Sequence, residues 1–205
     1  HAEGPAVGPT VGGRRITVST AGYLPGILRL TEDDLNVGLA ISLNATTDAV
    51  RDRLMPVNRK WPIAELLRAA QGYYDNKGRR VTFEYVLMAG VTDSDEDATR
   101  LATLTREVPC KINVIPYNEV CGSEVASREV ASGQVGHGTN VAEGLVFRRP
   151  SRTRIGAFLR HLRARTEHTV TLRESRGSDI AAACGQLYRQ QDVQRREHPA
   201  GSGAG

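Results

Sequence analysis

Three cysteines, several hydroxyl and amide side chains at the ends of apolar runs, and a basic complement made almost wholly of arginine are the groups in these 205 residues that could carry chemistry. Cys184 lies in the string DIAAACGQL, residues 179–187. The residues before it are small and Gly185 follows directly, so the thiol is uncrowded and sits on a hinge. Arg173 and Arg176 are close enough in sequence to favour its thiolate. The alternative is a buried structural cysteine, the commoner fate of this residue type. Cys110 opens an apolar run and reads as a packing residue, and Cys121 stands among Gly and Ser with no evident role. No two cysteines are spaced as a CxxC, and an odd, sparse count argues against a secreted disulfide framework. The sequence therefore offers no zinc or iron–sulfur ligand set.

The polar candidates gain meaning from the elements that must position them. From residue 15 to residue 115 the pattern reads β-α-β-α-β-α-β. Strands are expected over 15–20, 37–43, 80–88 and 110–115, and helices over 26–34, 63–75 and 94–107. Thr47 or Asp48 can cap a further short helix, and Pro62 suits a helix first turn. Residues 37–43 are almost continuously apolar, as in a strand buried on both faces. Such alternation indicates parallel strands with right-handed crossovers, in a doubly wound sheet or part of a (β/α) barrel. No GxGxxG or GxxxxGK[ST] follows a strand, so nucleotide binding of those kinds is unsupported.

Ligands of parallel α/β folds bind beyond the carboxyl ends of the strands. Those ends carry Ser19 and Thr20, Ser42 to Asn44, Glu84 and Tyr85, and Pro116 to Asn118. All but the Glu84 pair fall at the strand-to-loop junction. Hydroxyls and amides there suit a neutral polar ligand with a ribose and an amino-acid end. Taken singly, Ser19 or Ser42 could merely cap an element and Asn118 merely close a turn. Their recurrence on three strands at one rim favours a shared site.

Five segments follow. Residues 1–13 are a disordered lead-in rich in Gly, Pro and Ala. Residues 14–118 form the alternating α/β region. Residues 119–146, rich in Gly and Ser, read as a flexible insertion. Residues 147–188 carry a helix over 154–165, a strand over 169–173, a helical turn capped by Ser178 or Asp179, and Cys184. Residues 189–205 are a disordered tail. Hydrophobic residues make up 40% and charged residues 24%, ordinary for a soluble domain. No apolar run reaches the roughly 18 residues of a membrane span, and the first residues lack a secretory pattern, so a cytoplasmic protein with no membrane partner is expected.

The net charge of +4 favours a polyanion, and lysine occurs only at Lys60, Lys77 and Lys111. Arg51, Arg53, Arg59, Lys60, Arg148, Arg149 and Arg152 could contact phosphate. If about five did, log K would fall with log[salt] at a slope of about −3.5 to −4.5. The alternative is a solvated basic surface in a protein of arginine-rich composition.

Several long strings, in order, resemble one family. They are GRRITVSTAG (13–22), LAISLNA (39–45), RDRLMPVN (51–58), TFEYVL (82–87), PCKINVIPYN (109–118), RPS (149–151), RGSDI (176–180) and ACGQL (183–187). Together they resemble the C-terminal part of the RlmN family of dual-specificity RNA methyltransferases. These are radical S-adenosylmethionine enzymes that methylate adenine C2 in 23S rRNA and tRNA. The resemblance covers about 13–118 and 147–187. It implies a partial (β/α)6 radical-SAM barrel, of which this α/β chain would supply about four parallel strands plus a C-terminal extension.

Residue by residue, the resemblance implies that Ser19, Ser42, Leu43, Asn44 and Asn118 bind S-adenosylmethionine, and that Cys184 carries the methyl group. Adenine C2 is electron-poor and cannot attack a methylsulfonium, whereas a radical can add to it. In the family a 4Fe-4S cluster cleaves one S-adenosylmethionine to start that radical, and a second one methylates the cysteine. The target adenine must be accessible, in a loop or flipped. A flavodoxin or ferredoxin would be the reductant, and the protein a monomer.

The departures are equally specific. The CxxxCxxC of the family, its second catalytic cysteine and its Gly-Glu pair are absent here, residues 119–146 are longer than the usual loop, and Asn44 stands where many relatives have His. No metal ligand is therefore assigned, and the isolated chain is expected to be inactive. The rival expectation is a non-catalytic RNA-binding remnant, or one half of a split enzyme. A barrel cut before its third strand would also expose a parallel edge.

Overall fold

The apolar runs become strands and the amphipathic segments become helices, in the order that the pattern requires. A computed structural model describes residues 13–118, 141–142 and 145–174. The chain divides into two compact units, residues 1–117 with 141–174, and residues 118–140 with 175–205. Every described residue except Asn118 belongs to the first.

The strands are β1 (Thr17–Thr20), β2 (Gly38–Ser42), β3 (Val81–Leu87), β4 (Cys110–Pro116), β5 (Val141–Ala142), β6 (Leu145–Val146) and β7 (Thr169–Leu172). The helices are α1 (Leu24–Glu32), α2 (Asp48–Leu54), α3 (Ile63–Lys77), α4 (Asp95–Thr105) and α5 (Arg152–Arg163). Local chemistry sets their ends. The Thr47 hydroxyl accepts from the Val50 N–H at 3.4 Å and starts α2. Ser94 and Asp97 exchange side-chain and main-chain hydrogen bonds as a capping box on α4. Gly78 ends α3 at φ 62°, a left-handed conformation in which its N–H reaches the Tyr74 carbonyl at 2.7 Å.

Five strands form one sheet in the order β1-β2-β3-β4-β7, with every pairing parallel. The four expected strands are thus joined by a fifth, Thr169–Leu172. Val141–Ala142 and Leu145–Val146 pair as a short antiparallel ribbon, where a strandless loop was expected. The rest of 119–146, including Cys121, lies outside the described residues, as do residues 1–12 and the segment 175–205 with its anticipated helical turn and Cys184. No described helix is long and apolar enough to cross a membrane.

The helices pack on one face of the sheet. Leu39, Ile41, Phe83, Tyr85, Ile112, Val114 and Val170 share a buried core with Ile27, Leu66, Tyr73, Leu101 and Phe158 from α1, α3, α4 and α5. Cys110 belongs to this core, as a packing residue should. The opposite face contributes nothing to that core among the described residues, and it is largely polar, with Ala40 buried and Val86 and Ile115 half-buried among its hydroxyl, amide and charged side chains. β3 alternates buried and half-buried residues along its whole length. A parallel sheet normally hides both faces under helices and reads as apolar on both, so a polar second face is a surface made for something else. The register sets it out in rows. Ser19, Ala40, Thr82, Lys111 and Thr169 lie side by side, and Ser42, Glu84, Asn113 and Thr171 form the next row toward the carboxyl ends. β1 is an edge among the described strands, with Ile16 and Val18 exposed.

Candidate functional site

Ser19 and Ser42 share the polar face because their register partners, Ala40 and Ser42 itself, stand two residues apart on one strand. Neither hydroxyl is engaged in a hydrogen bond among the described residues, so both remain available to a ligand. This argues against the capping alternative: the hydroxyl that closes the turn after β1 is Thr20, which accepts from the N–H groups of Gly22 (3.1 Å) and Tyr23 (3.2 Å).

The segment after β2 is held in an unusual shape. Asn44 has φ 58°, the only left-handed non-glycine residue described. Its side-chain oxygen accepts from the Val86 N–H at 3.1 Å and its amide donates to the Met55 sulfur at 3.4 Å. The N–H groups of Leu43 and Asn44 both donate to the Glu84 carbonyl, at 2.9 and 3.3 Å. Leu43 turns its side chain into the core with no exposed surface, so only its main chain can meet a ligand. Asn118 follows β4 by two residues, is half-buried and opens the second unit.

Behind this rim lies a group that the sequence reading misassigned. Arg51, a candidate phosphate contact, is completely buried. Its Nε donates to the Leu43 carbonyl (2.9 Å), Nη1 to Asn58 Oδ1 (2.8 Å), and Nη2 to the carbonyls of Ala21 (2.8 Å) and Ser42 (3.1 Å). One guanidinium thereby ties the end of β1 to the end of β2. Burial lowers its pKa, and Asp48 and Asp52 oppose that shift. Asn58 relays to both acids, donating to Asp48 at 3.0 Å and Asp52 at 2.6 Å. The fork geometry of arginine is what lets one side chain serve four acceptors. A Cβ on Gly22, which has φ 107°, would stand 2.9 Å from Nη2, so glycine is needed there twice over. Arg51 followed by Asp52 and then Asn58 was the available signal, and charge alone masked it.

Farther along the face Glu84 meets the Arg173 guanidinium at 3.5 Å, and the Thr171 hydroxyl donates to Asn113. Arg173 thus has a carboxylate partner on the sheet. The sequence reading noted Glu84 but assigned it no role, because it stands short of the strand end.

An iron–sulfur cluster does not fit the described residues. Among them no group of three or more His, Cys, Asp or Glu could hold a metal. The one described cysteine, Cys110, is 1% exposed. Burial pushes its thiol up to about 12, the opposite of a thiolate ligand. The polar rim does fit a nucleoside–amino-acid ligand such as S-adenosylmethionine: it offers two hydroxyls with no partner among the described residues, a rigid main chain and one carboxylate on a half-buried face.

Comparison with known proteins gives the chain's relatives. No family model matches the chain. A dual-specificity RNA methyltransferase RlmN of Pelobacter propionicus is 46% identical over 183 residues, 89% of this chain and 46% of the relative. The protein of the same name in Anaeromyxobacter sp. (strain Fw109-5) is 47% identical over 180 residues, 88% of this chain and 41% of the relative. The crystal structure of a radical SAM methyltransferase from Sphaerobacter thermophilus superposes with TM-score 0.70 at 46% identity, covering 85% of this chain and 45% of that one. A domain of pyruvate-formate lyase-activating enzyme from Bacteroides vulgatus shares the fold alone, with TM-score 0.52 at 14% identity. By fold and sequence this chain is similar to a radical S-adenosylmethionine methyltransferase. Within that class its sequence resembles, over most of its own length, the dual-specificity RNA methyltransferases RlmN, and it spans slightly under half the length of the curated relatives it matches.

Proposed function

We propose that this chain is the S-adenosylmethionine-binding part of an enzyme that methylates adenine C2 in 23S rRNA and tRNA, with Cys184 as the methyl carrier. The observation that carries the proposal is the rim itself. Ser19, Ser42 and Asn44, the positions that the family resemblance assigns to S-adenosylmethionine, lie toward the carboxyl ends of neighbouring strands, and neither serine hydroxyl has a hydrogen-bond partner among the described residues. Ser19 and Ser42 would bind the ligand by their hydroxyls and the main chain at Leu43 and Asn44 would orient it, held still by Arg51. The methyl group would come from S-adenosylmethionine. The iron–sulfur chemistry of the family would have to come from residues other than those described, and the isolated 205-residue chain is expected to methylate nothing by itself.

The test is expression of the whole gene in a host that lacks adenine-C2 methylation, with 2-methyladenosine in digested rRNA and tRNA measured by mass spectrometry. The modified nucleoside should appear with the wild-type gene and vanish with Cys184→Ala. No product from the wild type would defeat the proposal, and product from Cys184→Ala would remove the methyl-carrier role.

A further inference from the structure

We infer that Glu84 is a binding residue of this site, and that its carboxylate selects the positively charged sulfonium of S-adenosylmethionine over neutral-sulfur analogues; this rests on the S-adenosylmethionine reading above. Three independent features of the fold support it. The first is place. Glu84 is the direct register partner of Ser42 on the polar face, so the two side chains stand one strand spacing apart, roughly 5 Å. The second is rigidity. The Glu84 carbonyl accepts the N–H groups of both Leu43 and Asn44, so the residue that would contact the ligand is clamped to the segment that would orient it.

The third is charge. Glu84's own row holds Ser42, Asn113 and Thr171, the row toward the amino ends holds Ser19, Ala40, Thr82, Lys111 and Thr169, and the row toward the carboxyl ends holds the apolar pair Val86 and Ile115. Glu84 is the one acid in those rows. Its side chain is 19% exposed, whereas that of its partner Arg173 is 66% exposed and 3.5 Å away. A carboxylate so far out of water needs compensation, and a single solvated guanidinium at that distance supplies part of it. The carboxylate keeps acceptor capacity that Arg173 does not fill. S-adenosylmethionine carries a sulfonium, an α-ammonium and one carboxylate. S-adenosylhomocysteine keeps the nucleoside and amino-acid groups but has a neutral sulfur. Comparing the two isolates the sulfonium charge.

The experiment uses the full 205-residue chain and equilibrium dialysis with each ligand, titrated to millimolar concentration. Wild type should prefer S-adenosylmethionine by about tenfold, which corresponds to about 1.4 kcal/mol. Glu84→Gln, which keeps the shape and removes the charge, should bring the preference to within about twofold and leave S-adenosylhomocysteine binding nearly unchanged. Arg173→Gln should raise the preference, because it releases the carboxylate. A purely structural Glu84–Arg173 pair would move both ligands equally and leave the ratio alone. An unchanged ratio in Glu84→Gln, or no preference in the wild type, overturns the inference while the site stands. Failure of the folded wild type to bind either ligand overturns the S-adenosylmethionine reading and takes this inference with it.

Discussion

Replacing Arg51 removes a buried side chain that ties the end of β1 to the end of β2 beyond their main-chain pairing. Arg51→Met keeps most of the volume and deletes four hydrogen bonds of 2.8–3.1 Å, three of them to main-chain carbonyls. Each charge-assisted bond contributes about 1.5–3 kcal/mol when taken alone, and losing the buried charge returns part of that as relieved desolvation. Breaking a buried network of this kind costs about 3–5 kcal/mol, and the methionine stem retains some packing, so a loss of about 3 kcal/mol is expected. Arg51→Lys keeps the charge but has three donors on a point-like head that cannot span four acceptors, and should lose about 2 kcal/mol. Urea unfolding at neutral pH, followed by circular dichroism and by the fluorescence of Trp61, reads both values. A loss below about 0.5 kcal/mol in Arg51→Met would refute the reasoning, because the carbonyls would then be equally content without it.

Asn44 tests the shape of the rim. Asn44→Ala gives up the Val86 hydrogen bond and forces alanine into a left-handed backbone, for a loss of about 2 kcal/mol in urea unfolding, whereas Asn44→Gly should lose less. Cys110 makes stability fall in alkali. Its thiol ionises near 9.0 ordinarily and near 12 in the fold, so between those values the unfolded chain has given up a proton that the folded chain keeps. Stability should therefore decline as pH rises above 9.0, and Cys110→Ala should flatten that decline. Tyr85, also raised by burial, adds to the decline in the same direction and persists in the variant. With Arg51 withdrawn from the phosphate-contacting set, an RNA stem-loop with about four contacts should give a slope of log K against log[salt] of about −2.8 to −3.6 by fluorescence anisotropy. A slope near zero would count against phosphate contacts on this chain.

The strands and helices were legible because their apolar periods differ so plainly. Residues 37–43 read as a doubly buried strand and β2 is one, with Leu39, Ala40 and Ile41 all buried. The helix expected to open at Ser94 does so, and the structure adds that Ser94 and Asp97 cap it together. β7 was expected as a strand but not as a member of the main sheet, since a four-residue run carries no information about its neighbour. Ser19 and Ser42 were picked as candidates because hydroxyls at strand ends stand out against apolar runs, and the register puts both on one face of the sheet. Leu43 entered only through resemblance, and its side chain proves to be core while its main chain lies at the rim. Arg51 was misread because composition treats every arginine as a surface charge, and the four carbonyl and amide oxygens that bury it converge only in three dimensions. Asn44 shows the reverse case. Its left-handed backbone suits asparagine, which tolerates that conformation better than most residues do, and only the folded chain reveals it.

The central claim is that the carboxyl-end rim of the polar face binds S-adenosylmethionine. Its most direct test is a titration of the isotopically labelled chain with S-adenosylmethionine, followed by amide chemical shifts. Saturable changes confined to Ser19, Ser42, Leu43, Asn44 and Glu84 are the expected result. Changes centred instead on Arg80 and Lys111, toward the amino ends of the strands, or no saturable change at all, would contradict it.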